Sequence, residues 1–236
     1  MEKTTLADKY LTFSEESKKL LKSGAEELLI DTFNKVWCGI CDFFNNGEIR
    51  EVVFEADPNC GSPALITVFT TTIITTTDDD TGEVISEEKI FNIIENNKIK
   101  FNPDDQIFKN QSMDIDFITH ELVHVAQNYN LESCPSWITE GIADYGREKF
   151  GLNNKNAGWW LPKYEKYQKH TDGYRVTAAF FIWIEKNIDV NFVKDLNNTI
   201  KASKYTDDYF TAKTGKSVDE LWQMYADANK AAQQRK

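Results

Sequence analysis

The feature that most constrains the fold of this chain is a pair of histidines four positions apart, with a glutamate directly after the first. The five residues HELVH, from His120 to His124, lie in a segment whose apolar residues recur at helical spacing. Residues i and i+4 of a helix lie one above the other, so both imidazoles can reach one cation. Glu121 would lie about 100° around the helix axis, where it can accept a proton from water bound to that cation. The motif therefore predicts a helix that carries part of a catalytic zinc site.

A second predicted helix supplies a candidate third ligand. Apolar residues recur at helical spacing over 135–150, and Gly151 is a typical helix end. Glu140 follows His124 by 16 positions, which is enough for the first helix to end and the chain to return. Two histidines and one glutamate leave the fourth position of a tetrahedral Zn²⁺ ion for water, as in catalytic sites. Asp144, one turn after Glu140, is placed to accept an N–H from a ligand histidine and to hold that ring in one tautomer.

The whole chain predicts an α+β fold in a single domain, 1–236. Strands are expected early and helices later, which favours α+β over alternating α/β. The first part, 1–111, is predicted to hold an N-terminal helix and a small β-sheet, and the second, 112–236, to be mostly helical and to bind the metal. The predicted elements are a helix at 14–44, strands at 51–56, 64–77 and 98–102, a turn at 78–82, and helices at 115–126, 135–150, 174–187, 191–203 and 218–232.

Composition excludes two classes of partner. The 236 residues carry a formal net charge of −11, whereas a nucleic-acid surface needs clustered Lys and Arg. No apolar run approaches the ~18 residues of a membrane span. The first five residues lack the apolar stretch of a signal peptide, so we expect a chain that is intracellular or that has lost its signal peptide. A monomer is the default expectation.

Four segments resemble one known family. They are similar to the basic secretory proteins, a family of plant and bacterial peptidases, at HELVHVAQ (120–127), WITEGIADY (137–145), DGYRVTAAF (172–180) and GKSVDELW (215–222). The resemblance is strong over about 116–145 and 172–225, and it is weak over 1–59.

The resemblance implies a gluzincin-like zinc peptidase with a zincin-like fold. In such an enzyme His120, His124 and Glu140 bind Zn²⁺, and Glu121 is the general base for a zinc-activated water. The expected activity is that of a zinc metalloendopeptidase acting on peptide or protein substrates. The family also implies a secreted protein whose signal peptide has been removed. This chain departs from the family name because it is acidic, so ideas about targets that depend on a basic surface do not carry over.

A hydrogen-bond donor for the reaction's oxyanion is expected beside the metal. The candidates are Tyr174, Tyr145 and His170. Tyr174 is favoured because it opens a predicted helix in a segment shared with the family and a phenol can donate at neutral pH. Packing of Tyr174 in the core remains the alternative. His170 has polar neighbours and is expected to be a solvated loop residue.

A second function stays open, in which the chain is a catalytically inactive, zinc-stabilised module that binds protein or glycan. Glu121 counts against it, because a structural zinc site needs no base and usually closes its fourth position.

The four cysteines, Cys38, Cys41, Cys60 and Cys134, leave their pairing open. The first two form a CxxC inside a predicted helix, which favours buried thiols or a disulfide over a redox site. In a secreted protein Cys60 could pair with Cys134.

Three further expectations concern the surface. The adjacent Trp159 and Trp160 favour core packing over an exposed rim that grips substrate. Sequons at 110–112 and 197–199 match the glycosylation pattern, which is common by chance. Substrate could add as a strand to a sheet edge at 64–69 or at 98–101.

Overall fold

The computed structural model describes residues 4–62, 64–66, 70–77, 84–92, 97–105, 114–130 and 133–234. Within these ranges the helices are α1 Leu6–Tyr10, α2 Glu15–Lys19, α3 Ala25–Phe44, α4 Phe117–Gln127, α5 Ser136–Phe150, α6 Tyr174–Asn187, α7 Phe192–Lys201, α8 Tyr209–Thr214 and α9 Val218–Gln234. The strands are β1 Leu11–Phe13, β2 Val52–Ala56, β3 Ala64–Ile66, β4 Thr70–Thr77, β5 Val84–Asn92 and β6 Lys98–Phe101. The predicted α+β class is confirmed, and helices dominate the second half.

The described strands form a four-stranded sheet and a separate pair. The sheet has the order β1-β2-β6-β3, in which β1, β2 and β6 are parallel and β3 is antiparallel to β6. Strands β4 and β5 pair with each other in antiparallel fashion. Side chains of β2 are buried alternately, so Val52, Phe54 and Ala56 face the core. The ring of Phe54 packs edge-on against Phe33 of α3, with centroids 6.0 Å apart. The sheet is thereby covered by the long helix α3.

Two predicted elements have the wrong extent. The helix predicted at 14–44 is two helices, α2 and α3, because Gly24 adopts a left-handed φ of 84° between them. The strand predicted at 64–77 is two strands, β3 and β4, which belong to different sheets. The elements α1, β1, β5 and α8 lie outside every predicted element. The turn predicted at 78–82 lies outside the described residues.

Two glycines let the helices around the motif approach closely. A Cβ on Gly146 of α5 would clash with Val123 of α4, and a Cβ on Gly141 would clash with Thr177 of α6. Both glycines are buried. Small residues at these points bring α4, α5 and α6 together without a gap. No described helix is long and apolar enough to cross a membrane.

Candidate metal centre

Helices α4 and α5 bring the three predicted ligands together. His120 and His124 lie one turn apart on α4, and their Nε2 atoms are 3.1 Å from each other. Oε2 of Glu140, on α5, lies 3.2 Å from Nε2 of His120 and 3.5 Å from Nε2 of His124. In the described part of the chain, this is the one group of three or more such side chains that could hold a metal ion.

The spacing of these atoms fits zinc. Zinc binds histidine nitrogen and carboxylate oxygen at about 2.0–2.1 Å, which separates the corners of a tetrahedron by about 3.3 Å. The observed separations of 3.1, 3.2 and 3.5 Å are close to that value. The Glu140 side chain is 27% exposed, so the cluster is not sealed from solvent. Three ligands and an accessible side match the donor set of a catalytic site better than that of a closed structural site.

Each histidine is held by a hydrogen bond at its other ring nitrogen. Nδ1 of His120 lies 2.7 Å from Oδ1 of Asp144, and Nδ1 of His124 lies 2.6 Å from Oε1 of Gln127. A carboxylate can only accept, so Nδ1 of His120 donates to Asp144. Asp144 thus stands where the helical spacing predicts it. Gln127 was not among the predicted site residues, although it follows His124 by three positions and so shares its side of the helix.

The cluster attracts positive charge. Burial lowers the pKa of His120, but hydrogen bonds to Asp144 and Glu140 outweigh it and raise that pKa to about 10. Burial also raises the pKa of Glu140, and its contacts with His120 and His124 reverse this and bring the pKa well below its usual range. Both shifts favour positive charge at the cluster, as expected where a metal ion and protons compete for the same side chains.

Glu121 is buried beside the cluster. Its residue surface is 8% exposed, and burial raises the pKa of its carboxyl above the ordinary value, although His120 and His124 act in the opposite direction. A carboxyl with a raised pKa is a better proton acceptor near neutral pH than an exposed glutamate. Glu121 is therefore a buried carboxyl group with a raised pKa beside the His120–His124–Glu140 cluster.

The start of α4 is tied to the end of α5 by two acidic side chains. Asp116 is fully buried and accepts the backbone N–H groups of Leu152, at 2.9 Å, and of Asn153. Asp114 pairs with Arg147 of α5. These contacts join the first residues of one ligand helix to the last residues of the other, so the two helices run antiparallel.

The end of α4 is held by two basic side chains. Nη1 of Arg50 donates to the carbonyl of Val125 at 2.8 Å, and Nζ of Lys201 donates to the carbonyl of Ala126 at 2.7 Å. Burial lowers the pKa of Lys201, and the nearby Arg50 lowers it further. Cations at a helix C-terminus complement its dipole and pair with carbonyls that have no partner within the helix. Neither residue was predicted to support the site.

Tyr174 faces the cluster. Its ring is stacked on that of His120, with centroids 6.1 Å apart and an angle of 13°, and the residue is 56% exposed. The alternative that Tyr174 packs in the core is therefore wrong. Its φ of 47° is left-handed, which is an uncommon and costly conformation for an aromatic residue. Glu140, followed by burial, raises the pKa of Tyr174, so the phenol keeps its proton at neutral pH.

The other two candidate donors point elsewhere. Tyr145 is buried and donates to Oε2 of Glu185 at 2.7 Å. His170 lies between the rings of Trp137 and Trp222, at 5.1 and 6.3 Å, and its side chain is only 16% exposed. The expectation that His170 is a solvated loop residue is therefore wrong, because two indole rings cover it.

The remaining candidates are spread over the molecule. All four cysteines are free thiols, so Cys60 and Cys134 are not paired, and burial raises the pKa of Cys41 to about 12. The two adjacent tryptophans differ, since Trp159 is buried against Arg147 and Trp160 is 62% exposed.

The two sequons also differ. Asn197 is fully buried and donates to the carbonyl of Phe44, which leaves no room for a glycan. The sequon at 110–112 lies outside the described residues.

Comparison with known protein families identifies the family of this chain. A family model described as BSP, peptidase of plants and bacteria, matches residues 68–225, which include the histidines of α4, Glu140 of α5 and Tyr174. No curated protein and no solved structure matches the chain significantly.

Proposed function

Because the chain belongs to the BSP family, the peptidases of plants and bacteria, we propose that it is a zinc-dependent endopeptidase. The observation that carries the proposal is the convergence of His120, His124 and Glu140 at tetrahedral spacing, with Glu121 buried beside them. The family supports peptidase activity in general. The donor set supports the choice of zinc, because two histidines, one carboxylate and an open side are typical of catalytic zinc.

The residues around the cluster have separate roles in this proposal. Bound zinc would polarise the scissile carbonyl and acidify a water molecule. Glu121 accepts the proton of the attacking water and passes it to the leaving amine, which its burial favours. Asp144 holds the ring of His120 so that Nε2 faces the centre.

Tyr174 is the proposed donor to the oxyanion. Its ring is stacked on that of His120, and the residue is 56% exposed, so a substrate can reach it. The backbone is left-handed at this residue, with a φ of 47°, and the preceding Gly173 also has a positive φ, of 73°. Strained backbone of this kind is concentrated at functional sites. A donor placed in advance costs no reorganisation when charge develops on the substrate oxygen.

The sheet offers one of the two candidate strands to a substrate. Strand β6 lies between β2 and β3, so its edges are both paired and 98–101 cannot receive a peptide. Among the described strands, β3 pairs on one side only and packs near α4. We therefore assign strand addition by substrate to the outer edge of β3.

The proposal extends to the whole chain. A zincin-like fold in a single domain, 1–236, is supported by the antiparallel helices that carry the two parts of the motif. Peptide or protein is the substrate class, and a monomer is the proposed state. Secretion is proposed from the resemblance to the basic secretory proteins.

The test compares zinc content and peptide cleavage in wild type and in Glu121→Gln. We expect both proteins to carry zinc and the variant to lose about 10²–10⁴-fold in kcat, the range for removal of a general base. Glu148→Gln is the matched control, because Glu148 is exposed on the same helix as Glu140, two turns further on. It should keep wild-type activity.

Each negative result has its own meaning. Zinc-loaded wild type that cleaves nothing in a broad peptide library would contradict the peptidase proposal and favour the inactive binding module. Absence of zinc would contradict the metal site itself. Equal activity of wild type and Glu121→Gln would exclude Glu121 as the base.

A further inference from the structure

Gln127 joins the two helices that carry the cluster. It is the last residue of α4 and is only 1% exposed. Its Oε1 lies 2.6 Å from Nδ1 of His124, and its Nε2 donates to the backbone carbonyl of Thr139 at 3.1 Å. Thr139 directly precedes Glu140 on α5. One amide thus connects a histidine of the first helix to the backbone beside the carboxylate ligand of the second.

The partners of this amide determine its orientation. A backbone carbonyl oxygen can only accept a hydrogen bond, so the amide nitrogen of Gln127 must face Thr139. The amide oxygen then faces His124, and it can only accept as well. Nδ1 of His124 must therefore carry a proton and donate it to Gln127. In the neutral ring this leaves Nε2 of His124 with its lone pair, 3.1 Å from Nε2 of His120.

The two histidines are oriented by different chemistry. Asp144 presents a carboxylate to His120, whereas Gln127 presents a neutral amide to His124. Glu121, Glu140 and Asp144 already place three carboxyl groups around the cluster. A neutral acceptor at the second histidine orients that ring without adding a fourth buried negative charge, which would be costly to bury.

We propose that Gln127 is the positioning residue for His124. It holds the ring in the Nδ1–H tautomer, with Nε2 directed toward the candidate metal position between His120 and Glu140. Its second hydrogen bond, to the backbone of α5, fixes this orientation relative to that helix. The proposal rests on the proposed metal-binding function of the cluster. Gln127 acts through His124 and does not itself contact the reacting atoms. Partners of ligand histidines of this kind typically contribute 10–100-fold to metal affinity.

The first experiment uses the wild-type protein free of zinc. The chain has 3 histidines, so their ring nitrogens can be assigned by NMR after ¹⁵N labelling. We expect Nδ1 of His124 to be protonated and Nε2 of the same ring to be free of its own proton. The opposite tautomer, with Nε2 protonated and Nδ1 bare, would overturn the proposal whether or not the protein binds zinc. This measurement therefore separates a failure of Gln127 from a failure of the proposed function.

The second experiment measures zinc affinity by competition with a chelator. In Gln127→Leu we expect the affinity to fall about 10–100-fold and the Nδ1–H signal of His124 to be lost. In Gln127→Glu the acceptor for His124 remains, although the donor to Thr139 is removed and a fourth buried negative charge is added. We therefore expect the tautomer to be retained and the affinity to lie between those of Gln127→Leu and wild type.

The control is Gln168→Leu. Gln168 is also a buried glutamine, and its Oε1 accepts from the backbone of Glu165, away from the cluster. It should bind zinc as wild type does. A folded Gln127→Leu that keeps wild-type affinity would overturn the proposal. If Gln127→Leu does not fold, the wild-type tautomer and the Gln127→Glu variant test the proposal instead. Loss of both the Nδ1–H signal and zinc affinity in Gln127→Glu would also contradict the proposal.

Discussion

The N-terminal sheet and the helix pair α4–α5 are held together by different kinds of contact. Aromatic rings join the strands of the sheet to one another and to α3. Phe54 of β2 packs edge-on against Phe13 of β1, Phe101 of β6 and Phe33 of α3, with centroids 5.6 to 6.4 Å apart. The ends of the helix pair are held by charged side chains that bind backbone groups. Asp116 acts at one end, and Lys201 acts at the other with Arg50.

This difference reflects what each region must hold in place. Apolar contacts have no preferred direction and stabilise a fold roughly in proportion to the area that they bury. Hydrogen bonds depend on distance and angle, and they fix the position of one helix relative to the other. The three candidate ligand atoms lie on two helices, and binding of zinc requires their separations to stay within tenths of an ångström of tetrahedral spacing. The comparison predicts that changes in the sheet reduce stability, whereas changes at the helix ends also reduce zinc binding.

The largest loss of stability is expected in the sheet, from Phe54→Ala. Phe54 is 1% exposed, and its removal leaves a cavity, so the free energy of unfolding should fall by about 3–5 kcal/mol. Zinc affinity of the folded protein should stay near the wild-type value. Urea denaturation and chelator competition measure the two quantities. Tyr167→Ala, at a residue that is 75% exposed, is the control. A large drop in zinc affinity in folded Phe54→Ala would break the comparison.

A smaller loss of stability, with weaker zinc binding, is expected from Asp116→Ala. The substitution leaves the backbone N–H groups of Leu152 and Asn153 without their acceptor, which costs about 1–3 kcal/mol. Without this contact the end of α5 should shift relative to the start of α4. That shift should move Glu140 relative to the histidines and lower zinc affinity. Denaturation and competition are again compared, with Asp207→Ala, at an exposed aspartate, as the control. Unchanged zinc affinity would show that the hydrogen bonds of Asp116 contribute to stability alone.

The smallest effect is expected from Lys201→Met. The substitution keeps most of the apolar stem but removes the donor to the carbonyl of Ala126 and to Oδ1 of Asn45. We expect a loss of about 1 kcal/mol in unfolding free energy, because the cost of burying the ammonium group offsets part of its hydrogen bonding. Lys204→Met, at an exposed lysine, should have no measurable effect. A stabilised Lys201→Met would mean that desolvation outweighs both hydrogen bonds.

The local pattern predicted the helices well where periodicity was long and uninterrupted. Helix α6 spans the predicted 174–187, and α5 begins within one residue of its predicted start. The pattern failed at Gly24. The apolar residues keep their helical spacing on both sides of it in the sequence, but its left-handed backbone separates α2 from α3. It also failed for β3 and β4, because a run of β-branched residues does not reveal in which sheet each part is paired.

In the candidate site, too, some residues can be predicted from local spacing and others cannot. Its ligand types follow from the i, i+4 histidines and from the helical segment that carries Glu140. The partner of His120 also follows, because Asp144 lies one helical turn after Glu140. Gln127 is close in sequence to His124, but its role depends on Thr139, which reaches it only when α5 packs against α4. Arg50 and Lys201 each lie 75 residues from the carbonyls they bind.

The sequence by itself determined which helices carry the histidines and the carboxylates, and therefore the chemistry that the cluster can support. Helical spacing is a property of neighbouring residues, so it can be read from the chain directly. Only the tertiary structure determined the 3.1 to 3.5 Å separations of the candidate ligand atoms. It also determined which amide contacts His124 and that the ring of Tyr174 stacks on His120. These depend on the close packing of α4, α5 and α6, and close packing is set by side chains that are distant in the sequence and meet only in the folded protein.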